Sequence, residues 1–163
     1  MTTVVNIEKK ITIDSQYLNS NLKNNILIKL KDITKNECSK DYGYYIDVKN
    51  FLKIKDNYIS ANCENIFLIE FKAELLKPEV GKIFEGNVCM IFCGGIFLNV
   101  LNKLKVLIPI SYIINYEFNS VKNSFINKKT LKTIGKDDKL KVSITGTKYS
   151  KQNFSCFGVL VND

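Results

Sequence analysis

The sequence predicts an α+β domain followed by an all-β barrel, and three observations carry that prediction. Apolar residues recur at helical spacing in one stretch, Leu18 to Ile33. Elsewhere they alternate with period two, the pattern of strands buried on one face. Pro78, one of two prolines, separates a strongly alternating segment from a glycine-punctuated one. It marks the expected boundary between domains at residues 1–78 and 79–163.

In the first domain, Val4 to Ile13 is a strand candidate. A helix follows, with Leu18, Leu22, Ile26, Leu30 and Ile33 on one stripe and Asn19 or Ser20 as cap. Asn-rich and of modest propensity, it needs a sheet to pack on. Tyr44 to Val48 and a short segment near Tyr58-Ile59 read as two further strands. The next strand puts Phe67, Ile69, Phe71 and Ala73 on one face and Leu68, Glu70, Lys72 and Glu74 on the other. This half is a small antiparallel sheet covered by one helix.

The second domain reads as all strand. Val88, Met90 and Phe92 alternate with Cys89, Ile91 and Cys93, and Gly94-Gly95 turns the chain into Ile96 to Val100. That hairpin accounts for the uncharged stretch 86–102 better than a membrane span. Val106 to Ile108 is a third strand, Leu140 to Ile144 a fourth, and Phe154 to Val161 a fifth. Five strands with one long connection and no good helix fit a small barrel of the OB type. The connection, Asn115 to Lys136, is rich in Asn, Lys and Ser and is expected to be irregular and mobile.

Composition narrows function. The 163 residues include no His, and all 24 cations are Lys. A Ser-His-Asp triad, a Cys-His dyad and His-containing zinc or iron sites are therefore excluded, as is an arginine finger. Asn, Lys and Ile supply 64 residues, which points to an A/T-rich genome and weakens any functional reading of the Lys excess. Residues 1–78 hold 12 Lys against 10 acids, net +2, and residues 79–163 hold 12 against 6, net +6. A polyanion contact is accordingly expected in the second half. Five cysteines, with no CxxC, imply neither a disulfide framework nor a zinc ribbon but a reducing compartment. Cys89 and Cys93 are expected as small buried hydrophobes on one strand face. The N-terminus lacks the basic and apolar regions of a signal peptide. The carboxylates are scattered, and no P-loop or GxGxxG is present, so no enzymatic site, metal or cofactor is expected.

From Gly86 the spacing runs Gly86-x-Val88-x-x-Ile91-x-x-x-Gly95-x-Phe97-Leu98, and the third strand ends in Ile110-Ser111. This resembles the S1 RNA-binding domain, with its G-x-V-x-x-I-x-x-x-G-x-F-V opening and I-S element. The resemblance implies that Val88 and Ile91 fill the barrel and that Phe97 stands outside, where a base can stack. Gly94 stands where the family commonly has a second aromatic and Pro109 where it often has His, which reduces the platform to Phe97 with nearby Lys103, Lys105, Lys148 and Lys151.

Taken over its full length, the chain resembles the RNA polymerase stalk subunit family, which comprises the seventh-largest subunit of RNA polymerase II and its archaeal counterpart. The matching elements are Ile11-Thr12-Ile13, the helix from Leu18 to Ile33, Lys40 to Ile46, the Leu76-Lys77-Pro78-Glu79-Val80-Gly81-Lys82-Ile83 junction, Ile144-Thr145-Gly146 and Phe157 to Leu160. That resemblance implies a truncated RNP-like first domain that docks on the polymerase core, and an S1-type OB barrel directed at emerging RNA. Carried over, docking falls to Tyr42, Gly43 and Tyr44 and to the loop holding Asn62 and Asn65. The implied partners are the largest subunit and small core subunits near the clamp, a second stalk subunit, and single-stranded RNA bound weakly and without sequence preference. No membrane partner is implied. The A/T bias fits a large cytoplasmic DNA virus encoding its own polymerase, and equally an A/T-rich parasite. The expected place is viral factories in the cytoplasm and the virion, or the nucleus for a cellular protein. The alternative is a free-standing S1-type RNA-binding protein.

Overall fold

A computed structural model describes residues 1–161; Asn162 and Asp163, included in the expected second domain, lie outside them. The chain divides into two compact units, Thr2–Lys77 and the segment from Pro78 onward with Met1.

The first unit is a four-stranded antiparallel sheet with one helix. Strand β1 (Thr3–Ile13) leads through a 3-10 turn (Ser15–Tyr17) to helix α1 (Leu22–Thr34). Strands β2 (Cys38–Ser39), β3 (Gly43–Ile59) and β4 (Asn65–Leu76) follow, in sheet order β1-β4-β3-β2. The helix starts later than its stripe predicts. Leu18 ends the 3-10 turn at 41% exposure, and the cap position is Asn21, whose N–H donates to Asn19 Oδ1 at 2.9 Å. The rest of the stripe holds: Ile26 and Leu30 are fully buried with Ile7, Ile11, Phe67, Ile69 and Phe71. Burial of each such side chain contributes roughly 1.5–3 kcal/mol, which offsets the helix's poor intrinsic propensity.

Strand β3 is a single 17-residue element where two short strands were expected. Its pairing with β4 shifts at four places, between Tyr45 and Asp47, Val48 and Asn50, Phe51 and Lys53, and Ile54 and Asp56. Each bulge adds a residue and resets which side chains face in, so the strand has no period-two signature. Because β2 pairs only with Gly43 and Tyr44, most of β3 is a sheet edge, and bulges and charges there oppose edge-to-edge association. Its lysines are paired: Lys49 with Glu74 at 2.6 Å, Lys53 with Glu70 at 3.5 Å, and Lys55 with Glu8.

The second unit is a closed barrel with an inserted sheet. Strands β5 (Ile83–Phe92), β6 (Gly95–Val100) and β7 (Leu104–Pro109) precede a 3-10 turn (Ile110–Tyr112). Next come β8 (Tyr116–Asn119), β9 (Ser124–Asn127) and β10 (Thr133–Ile134), then β11 (Lys139–Ser150) and β12 (Asn153–Leu160). The barrel closes in the order β11-β12-β7-β6-β5, antiparallel except where β12 runs parallel to β7. Phe84, Val88, Ile96, Leu98, Val106, Ile108, Val142 and Ile144 fill it.

The connection expected to be irregular is the three-stranded sheet β8-β9-β10. Phe125 is fully buried, Ile134 nearly so, and Phe118 lies 5.5 Å from Phe125 between ring centroids. Asn119 Oδ1 accepts from the N–H groups of Val121 and Lys122, and Asn127 Oδ1 from those of Lys129 and Thr130. The Asn residues that suggest disorder therefore build two tight turns. The cysteine expectation also fails: Cys93 is exposed in the β5–β6 turn and Cys89 is half-buried, while Cys38 and Cys156 are the buried thiols.

Candidate nucleic-acid interface

A bulge between Val88 and Met90 decides what the barrel shows outside. It turns Val88 and Ile91 both inward and leaves Met90 outside at 56% exposure. The cross-strand register then aligns Met90 with Phe97, Phe97 with Leu107, and Leu107 with Phe157. These four apolar side chains form one outward row across β5, β6, β7 and β12, with Phe157 49% exposed and Phe97 and Leu107 half-buried. Cys89 Sγ donates to Phe97 O at 3.3 Å, which ties the bulge to the strand that carries the aromatic.

Phe97 is not alone. The ring of Phe92 stacks on it, with centroids 5.8 Å apart and 23° between planes. A Cβ on Gly94 would lie 2.6 Å from Phe92 Cε2, so the ring occupies the space that glycine leaves open. The second aromatic of the platform comes from two positions earlier in the chain than the S1 pattern places it.

A polar row runs alongside: Asn87, Asn99, Lys105, Ser155 and Lys148 are successive cross-strand neighbours. Neither row contains an acid. Lys105 and Lys148 are exposed and flank Ser155 two strand spacings apart, about 10 Å. Lys103 lies in the β6–β7 turn and Lys151, at φ +49°, in the β11–β12 turn. Because β7 and β12 are parallel, these turns sit at the same rim of the barrel. The five expected RNA residues therefore share one side: Phe97 in the apolar row, Lys105 and Lys148 beside it, Lys103 and Lys151 at the rim. Sequence reasoning missed Met90, Phe92, Leu107 and Phe157, because the bulge and the β7–β12 register that align them leave no mark in a single strand's alternation.

The residues expected to dock do not come together. Tyr44 is buried and paired with Cys38 and Leu76. Gly43 has φ +76°, and a Cβ there would lie 2.3 Å from Leu76 O. Its glycine is a requirement of the sheet. Asn65 pairs with Ile59 at the other end of β4, about 36 Å away along a 12-residue strand. At that end Asn65 Nδ2 donates to Ser15 Oγ at 3.2 Å, and Tyr17, Leu18, Tyr58 and Ile59 are exposed by 41 to 69%. A groove of about 350 Å³ adjoins it, lined by Ile13, Tyr17, Asn25, Ile28 and Asp32 among others.

Residues 77–156 match the family model of the S1 RNA binding domain. The barrel is of the S1 type. A curated relative, the DNA-directed RNA polymerase II subunit RPB7 of Glycine max, is 21% identical over 161 residues, which cover 96% of this chain and 90% of its own. That likeness extends through both units and supports the family of this subunit. Among solved structures, the chain is similar to Mycoplasma genitalium RNase R in complex with ribose-methylated single-stranded RNA, at 25% identity and a TM-score of 0.43, over 50% of this chain and 13% of that one. It is also similar to GSP13 from Bacillus subtilis, at 19% identity and a TM-score of 0.37, over 52% of this chain and 56% of that one. The matched segment contains Phe97 and Leu107, which are paired on the neighbouring strands β6 and β7.

Proposed function

We propose that the protein is a non-catalytic stalk subunit of a DNA-directed RNA polymerase, which docks on the core through its first unit and guides nascent RNA with the S1 barrel during initiation. The observation that carries this reading is the alignment of the polymerase subunit RPB7 along 96% of the chain. A free-standing S1-type RNA binder leaves the first unit without a role, although the same relative covers it.

Two surfaces divide the work. Docking belongs to the Asn62 and Asn65 end of the first sheet, where Tyr17, Leu18 and Ile59 expose apolar area that a protein partner can bury. Tyr42, 47% exposed at the opposite end, is left for a second stalk subunit. RNA belongs to the barrel. Bases stack on Phe92 and Phe97, and phosphates meet Lys105 and Lys148, with nothing arranged to read base edges.

The test is purification of the tagged protein from its source. Co-elution of the largest polymerase subunit at moderate salt is expected, and its absence would sink the stalk assignment.

A further inference from the structure

The net charge of the second half is not spread over the barrel. Residues 115–136 hold five Lys against one acid, Glu117, for +4; the remaining positions of 79–163 hold seven Lys against five acids, for +2. Lys122, Lys128, Lys129, Lys132 and Lys136 are all exposed, and none forms an ion pair among the described residues. The first unit behaves differently, with Lys9, Lys31, Lys49, Lys53 and Lys55 each bound to a carboxylate. These lysines are also held in place: the Asn119 turn carries Lys122, and the Asn127 turn carries Lys128 and Lys129, with Lys132 O accepting from Asn127 N–H.

Between the two turns the sheet bears a groove of about 530 Å³, lined by Glu117, Phe118, Ile126, Asn127, Lys128 and Leu131 among others. Its volume falls in the range of small-ligand sites. Leu131 is 75% exposed at its edge, an apolar side chain that the fold itself does not use.

We infer that the inserted sheet β8–β10 is a second contact for single-stranded RNA, with a base against Ile126 and Leu131 and the flanking phosphates on Lys128, Lys129 and Lys132. Charge complementarity selects the ligand: unpaired cations beside an apolar surface match a polyanion that also presents flat faces. The inference rests on the RNA-guiding reading of the barrel. It adds that the insert contributes its own share of the salt dependence, beside the phosphate contacts of Lys105 and Lys148 on the barrel.

The experiment measures anisotropy of a labelled polyuridine of about 12 nucleotides, within the span of one or two OB-fold sites, with the full chain across a salt series. Each phosphate contact to a single strand contributes roughly 0.7 to the slope of log K against log salt. The triple variant Lys128→Gln, Lys129→Gln, Lys132→Gln should therefore lower that slope by about 2. Leu131→Ala should weaken binding several-fold at unchanged slope. A triple variant with the wild-type slope overturns the insert assignment. If Lys105→Gln with Lys148→Gln lowers the slope in the same series, the barrel reading survives that failure. A wild-type chain that binds no RNA at the lowest salt sinks both. Photocrosslinking of thiouridine-labelled RNA to the wild-type chain needs no variant: adducts within residues 126–132 are expected, and adducts confined to the barrel strands overturn the proposal even where the triple variant misfolds.

Discussion

Phe92 stacks on Phe97 because Gly94 has no side chain to hold it off. The pair presents two aromatic rings where the linear motif supplies one. Loss of one stacked base contact costs roughly 1–3 kcal/mol. Phe97→Ala should therefore weaken single-stranded RNA binding by about tenfold. Phe92→Ala should weaken it by a similar factor, and the double variant should lose less than the two combined, because the rings support each other. Equal affinities for wild type and both single variants in an anisotropy titration would place the RNA elsewhere.

Gly94→Ala tests the same relationship from the other side. Its Cβ would meet a flexible ring, with Phe92 Cε2 at 2.6 Å, Cδ2 at 3.2 Å and Cζ at 3.4 Å as its nearest contacts. The barrel should fold normally while Phe92 swings away from Phe97. The expected signature is an unchanged melting temperature with RNA affinity reduced toward that of Phe92→Ala.

The sequence is most legible where burial enforces a period. The stripe Leu22, Ile26 and Leu30 and the face Phe67, Ile69, Phe71 and Ala73 are read correctly because each contacts one continuous core. Legibility fails where bulges reset the faces. Four of them conceal β3, and one behind Cys89 moves Met90 out and Ile91 in. It fails again at β8–β10, where strands of two to four residues are too short to show a pattern and Asn turns resemble disorder. The stacked platform depends on both a bulge and a cross-strand register, so Phe97 is visible from its motif and Phe92 and Phe157 are not.

Gly43 shows how a residue singled out by its motif also answers a demand of the sheet. Its sequence context suggests a docking turn, yet φ +76° and Leu76 O at 2.3 Å from an added Cβ make it a structural glycine. Left-handed backbone costs a side chain roughly 1–2 kcal/mol, and forced contact adds about 1–3 kcal/mol. Gly43→Ala should lower the melting temperature of the first unit by at least about 10 °C. A variant with wild-type stability by calorimetry would show that the sheet end yields.

Docking should map to the opposite end of the first sheet. Tyr17 and Ile59 are exposed, by 47% and 69%, so polar replacements there leave the core intact. Tyr17→Ser with Ile59→Ser should abolish co-purification of the polymerase while circular dichroism stays unchanged. Tyr42→Ser, at the far end, should leave incorporation intact. The reverse pattern would return docking to the Tyr42 turn.

Two buried groups contribute stability that is lost at alkaline pH. Burial pushes the Cys156 thiol up to about 11 from its ordinary 9.0. Burial first, then the negative charges of Glu37 and Tyr42, pushes the Tyr45 hydroxyl up to about 12 from 10.0. In both cases the folded state favours the neutral form and the unfolded chain ionises first. Their contribution is whole below pH 9 and is lost as pH rises through 11 and 12. On the acid side, the hydrogen bonds from Lys49 and Thr2 hold the Glu74 carboxyl below its ordinary 4.5, so that contribution is present above pH 4.5 and disappears as pH falls. Chemical denaturation across pH should thus show a plateau at neutral pH with a shoulder at each side, and Cys156→Ala should soften the alkaline one. The same burial predicts thiol reactivity, since the thiolate is the nucleophile. At pH 8, Cys63 and Cys93 should react promptly with a disulfide reagent in the native protein, while Cys38, whose thiol burial also raises, and Cys156 should wait for unfolding. Prompt reaction of all five cysteines would show that the barrel and the first sheet open far more readily than their packing implies.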